Sequence, residues 1–190
     1  GPLTLVFLIF EMKKLDAAAI KQLFAALIFI FLSIVFWAFF EQSGGSLSLV
    51  ARDLLSNDLS VVKIDPNVVN NSANSLFVIL LSTAIGALWI WLKKRNIEPN
   101  YYQKFGFAFL FLSLAFYIFY ALRFSLNSEG MASLWLFTLA YLIISIGELF
   151  LSPIGLSLMT KLSPKHLWGI MMGMWFLASA YGQYFAGILG

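Results

Sequence analysis

The chain lacks cysteine entirely and has a single histidine, His166. Disulfides and thiolate metal centres are thereby excluded. His166 lies between Lys165 and Leu167 in a polar stretch and reads as solvated, with no metal role. Charge is also scarce: Asp, Glu, Lys and Arg make up 11% of the residues, against about 25% in soluble domains. The sequence carries no phosphate-cradling glycine loop, zinc-ligand spacing or hydrolase elbow. An intramembrane enzyme built on paired carboxylates would need a nucleophile or metal set, and none is visible, so no catalytic residue and no cofactor are expected.

Apolar mass fills the place of charge, with 61% hydrophobic residues. A soluble core of this size could not hide so much apolar surface, but a bilayer can face it. The lipid bilayer is therefore the first expected partner. The net charge of +3 is a topology signal rather than a nucleic-acid footprint, because the basic residues gather in loops.

Five stretches approach or exceed the roughly 20 apolar residues needed to cross. They run about 22–49, 74–92, 105–122, 132–160 and 167–190, with a connector over 1–21. The expected class is an all-α polytopic transmembrane helical bundle. Leu3–Phe10 is apolar but too short to span and reads as the end of a helix. Both ends of the chain look like cuts in a longer protein. With the N-terminal flank placed in the cytoplasm, Lys13, Lys14, Lys21, Lys93, Lys94, Arg95, Lys104, Lys161 and Lys165 fall on the inner side. Arg52, Lys63 and Arg123 alone fall outside, as the positive-inside rule requires. The segment Ser46–Ala73 is then an outer loop, irregular with one short helix. Its Asn70-Asn71-Ser72 matches a glycosylation acceptor, a match we read as coincidence. Trp89, Trp91, Tyr101, Tyr102, Trp135 and Trp168 lie near span ends, as interfacial belts do.

Within these spans, isolated polar residues stand out. Glu148 is the only charge in ASLWLFTLAYLIISIGELFLSPIGLSLMT, residues 132–160. A carboxylate near the bilayer centre costs roughly 2.5–3.5 kcal/mol or more, so one that persists usually faces a cavity. Glu41 repeats the pattern between Lys21 and Arg52; its alternative reading is a position near the outer interface. Two lone acids suggest a pathway for protons or a polar solute. Pro153 removes a backbone donor just beyond Glu148 and favours a kink, while Gly147 and Gly155 add flexibility or close packing. Gly169 and Gly173 form a GxxxG pair, continued by Ala178 and Gly182, and point to helix packing. Trp175 and Ser179 lie one turn apart and are equally a pocket wall or a packing face. Asn74 is a helix N-cap or a pocket amide, the cap being what the bare residues favour.

Four motifs occur in order: FWAFFEQSGGSLSLVA, NSLFVILLS, GELFLSPIGLSLMTKLSP and MMGMWFLASAYGQ. From about Lys13 to Gly190 the chain resembles the C-terminal half of proton-dependent oligopeptide transporters, within the major facilitator superfamily. The resemblance implies the C-terminal bundle of that fold. The five spans look like helices 7 to 11, and residues 1–21 like the end of the linker hairpin between bundles. The N-terminal bundle and helix 12 would then be missing partners of the same protein. The implied activity is import of di- and tripeptides with protons across a bacterial inner membrane, by alternating access. Under this resemblance Glu148 faces the peptide amino group, with Asn74 as its amide partner. Trp175 and Ser179 line the pocket. Glu41 couples protons, and Gly147, Pro153 and Gly155 let the helix bend. Phe40 precedes Glu41 where some bacterial members carry two consecutive acids, so a coupling scheme needing both does not carry over. The alternative function is a major facilitator transporter for another small solute: a drug, nitrate or an organic acid.

Overall fold

Asp16 opens the first long helix: its carboxylate accepts from the Ala19 amide at 2.9 Å, satisfying one of the donors that every helix start leaves unpaired. The computed structural model describes residues 2–58 and 62–190. Helix α1 covers Pro2–Met12 and α2 covers Ala17–Phe40. The expected continuous span 22–49 is interrupted at Glu41. Glu41–Gly44 form a 3₁₀ turn, and α3 then runs Ser46–Leu54. Gln42 drives the break. Its side-chain amide donates to the Ala38 carbonyl at 3.1 Å, and its oxygen accepts from Ser46 Oγ at 2.8 Å.

Helix α4 spans Pro66–Lys94. It starts well before Asn74, because Asp65 caps it by accepting from the Asn67 amide at 2.8 Å and Pro66 suits the first turn. Asn74 is therefore no N-cap; it lies inside the helix. The segment 46–73, expected as an irregular loop with one short helix, holds that short helix as α3 and also the first turns of α4, so most of its described residues are helical. Helix α5, Tyr101–Ala121, begins with a reciprocal capping box between Asn100 and Gln103, each bond 2.9 Å. Helix α6 is Leu134–Leu162, capped by Ser133, and α7 is Trp168–Leu189.

Among the described residues, four segments are long and apolar enough to cross a membrane: Ala17–Leu54 with its break, Pro66–Lys94, Tyr101–Phe124 and Leu134–Leu162. Helix α7 is also long, at 22 residues.

Helix α6 is the hub, packed by α5, α4, α7 and α2, while α2 pairs with α7. Half of the apolar window of α6 is buried within the chain, against none of that of α4. Between apolar helices in lipid, close backbone approach replaces hydrophobic collapse as the organising force. Gly147 meets this need: a Cβ there would lie 3.0 Å from the Ala108 carbonyl of α5. On α7 the packing residues are Ala178, Gly182 and Ala186, all buried. Gly169 and Gly173 instead have open space where a Cβ would go. The GxxxG pair thus faces away from the neighbouring helices of this chain. Helix α6 continues through Pro153 as one element.

Candidate functional site: a carboxylate cavity between α2, α4 and α6

Helical spacing sets out the site's groups in rows. On α4, Asn70 and Asn74 are one turn apart. On α6, Tyr141, Ser145 and Glu148 follow at successive turns of one face. The two rows meet. Asn74 Nδ2 donates to Glu148 Oε2 at 2.9 Å and lies 3.0 Å from Ser145 Oγ. Ser145 Oγ in turn donates to the Tyr141 carbonyl of its own helix at 2.6 Å. Tyr141 donates its hydroxyl to Asn70 Oδ1 at 2.5 Å, and Asn70 Nδ2 donates to the Ser43 carbonyl at 2.9 Å. One chain of hydrogen bonds thereby runs from the break after α2, through α4, into α6.

The break presents Glu41 to the same space. A cavity of about 290 Å³ is lined by Glu41, Asn74 and Glu148, with Trp37, Asn70 and Tyr141 among the remaining walls. From α7, Gln183 Nε2 donates to Glu41 Oε1 at 3.3 Å. Among the described residues, no ion pair involves either acid. A partly buried carboxylate with only amide partners has acceptor capacity left for a cation or a proton. No three His, Cys, Asp or Glu side chains converge among the described residues.

The remaining sequence-predicted residues lie elsewhere. Trp175 packs its ring over Gly155, where a Cβ would sit 1.9 Å from ring atoms. Ser179 Oγ donates to the Phe176 carbonyl of its own helix at 2.8 Å. Neither lines the Glu148 cavity. Gly147 and Gly155 both serve close packing, and Pro153 lies on the exposed side of α6. The structure adds four residues that sequence reading missed: Asn70, Tyr141, Ser145 and Gln183. The signal for Asn70 was its one-turn spacing from Asn74, hidden by reading that stretch as loop. Asn70 is buried with both amide atoms engaged, consistent with a chance glycosylation match.

The sequence profile of the POT family matches residues 3–190. The chain belongs to the POT family. Its similarity to the peptide transporter YePEPT of Yersinia enterocolitica is 36% identity over 191 residues, covering 98% of this chain and 37% of that protein. A crystal structure of a POT peptide transporter in complex with sulfate superposes with TM-score 0.83 at 30% identity, covering 100% of this chain and 39% of that one. A POT family transporter crystallised with 5-aminolevulinic acid gives TM-score 0.86 at 25% identity, over 99% of this chain and 39% of the other. The chain thus spans a little over a third of the length of its POT relatives. The match extends through every element that builds the cavity, so the carboxylate site lies wholly within POT-family sequence.

Proposed function

We propose that this chain is part of a proton-coupled symporter that imports di- and tripeptides through a membrane by alternating access. The observation that carries the reading is the cavity in which Glu41 and Glu148 face one space with amide partners and no paired cation. A peptide ammonium leaving water needs a buried counter-charge, and Glu148, oriented by Asn74, supplies it. Glu41 sits where the helix breaks, so a proton arriving there acts at the point where α2 gives way to α3. Pro153, on the exposed side of α6, removes a backbone donor and lets that helix adjust as the inner end closes, while Gly147 and Gly155 hold it close to its neighbours.

The relatives' names favour peptide over another solute, and an acid-lined cavity disfavours nitrate and organic acids, since like charges repel. The peptide carboxylate would be met by the companion bundle of the longer protein, because such sites lie between two repeats. The loop carrying Lys93, Lys94 and Arg95 is cytoplasmic in this reading. The deciding experiment is competition for uptake by the full-length protein. Free dipeptides compete and N-acetylated dipeptides do not; equal competition by both would remove the ammonium from the account.

A further inference from the structure

A cluster of charged side chains lies at the far end of the bundle, where α4, α5 and α6 converge near the loop 95–100. Glu98 in that loop accepts from Lys104 Nζ at 2.5 Å. The Lys104 hydrogen bond, with added pull from the charges of Lys104, Lys93 and Lys161, holds the Glu98 carboxyl below its ordinary value. One acid is thus surrounded by cations from three helices. Lys104 is matched to it. Lys93, Lys94, Arg95 and Lys161 have no acidic partner among the described ion pairs. Arg95 instead lies over the Trp91 ring at 4.4 Å, and Lys161 donates to the Tyr101 hydroxyl beside that ring. The local balance is strongly positive.

An apolar crevice of about 260 Å³ adjoins this cluster, walled by Leu88, Trp89, Leu92, Pro99, Phe107 and Phe150 among others. Trp89 joins the two parts: its ring walls the crevice and lies 4.3 Å beneath Lys104 Nζ. The apolar length of α4 is unburied within this chain, so the crevice is uncovered along it here. An excess of cations at a helix end, continuous with an oily slot running along the helix, fits a molecule with an anionic head and a hydrocarbon chain.

We infer that the cation cluster around Glu98 and the crevice beneath Trp89 form a binding site for an anionic phospholipid. The headgroup phosphate meets Lys93, Lys94, Arg95 and Lys161, and an acyl chain enters the crevice between α4 and α5. A soluble anion would use the cations and leave the crevice empty. A zwitterionic lipid would fill the crevice but gain little from four cations.

The test is native mass spectrometry of the full-length protein in detergent, titrated with phosphatidylglycerol, phosphatidylcholine and inorganic phosphate. Phosphatidylglycerol is retained, phosphatidylcholine is retained at least tenfold more weakly, and excess inorganic phosphate does not displace the lipid. The triple substitution K93Q/K94Q/R95Q weakens phosphatidylglycerol binding at least tenfold, given about fivefold per surface cation. Leu88→Trp, which fills the crevice and keeps every charge, also weakens it. Equal retention of both lipids, displacement by phosphate, or indifference to both variants would overturn the assignment. The readout does not depend on peptide transport, so it stands or falls apart from the proposed function.

Discussion

Asn74 and Glu148 join α4 to α6 through a 2.9 Å hydrogen bond, and the same amide nitrogen reaches Ser145 at 3.0 Å. The amide therefore fixes which carboxylate oxygen is occupied and leaves the other free to accept. Replacing Asn74 by Leu removes that constraint. A hydrogen bond to a charged group contributes about 1.5–3 kcal/mol, so the KM for peptide uptake by the full-length protein should rise roughly tenfold or more. Unchanged KM would mean that Glu148 needs no orienting partner.

Gln183 ties α7 to Glu41 across 3.3 Å. On the proposed role of Glu41, Gln183→Leu should lower proton-driven accumulation several-fold while leaving counterflow exchange intact. The comparison is made in proteoliposomes with and without a pH gradient. Equal loss in both modes would mark Gln183 as merely structural.

Gly155 has no room for a side chain under Trp175, whereas Gly169 has open space. Gly155→Ala should destabilise the protein by about 1–3 kcal/mol through overpacking. The same change at Gly169 should be nearly neutral. Thermal unfolding in detergent separates the two, and trimming Trp175 to Leu beside Gly155→Ala should recover much of the loss.

Glu98 gives an acid-sensitive contact outside the membrane. Its carboxyl lies below its ordinary value of 4.5, chiefly through the Lys104 hydrogen bond. A lowered folded-state value means stability that is present above the unfolded value and lost as pH falls through the folded one. The wild type should therefore lose more thermal stability than Glu98→Gln between pH 7 and pH 4. Parallel losses would show that the Lys104 contact contributes nothing in solution.

The long helices were legible because an apolar run of such length has few other homes, and their caps sit where Asp16, Asn100 and Ser133 precede them. The start of α4 was misread. Asn67, Asn70 and Asn71 have turn-forming side chains, and this outweighed the start signal Asp65-Pro66. That misreading hid Asn70, whose partners are Ser43 and Tyr141, both distant in sequence. The break at Glu41 was hidden for a similar reason. Gln42 also donates to the Ala186 carbonyl of α7 at 3.3 Å, a contact no local pattern encodes. Glu148 was legible from charge scarcity alone. Its pairing with Asn74 followed from the family resemblance, and the cavity uniting both with Glu41 required the fold. For Trp175 the sequence left pocket and packing open, and in this structure its ring packs over Gly155.

The central claim is that Glu148 receives the peptide's ammonium group. It is tested most directly by dipeptide uptake in the full-length protein carrying Glu148→Gln, which keeps shape and hydrogen bonding but removes the charge. Uptake of free dipeptides should fall at least tenfold, from the loss of a buried ion pair. Uptake at the wild-type rate and KM would contradict the account.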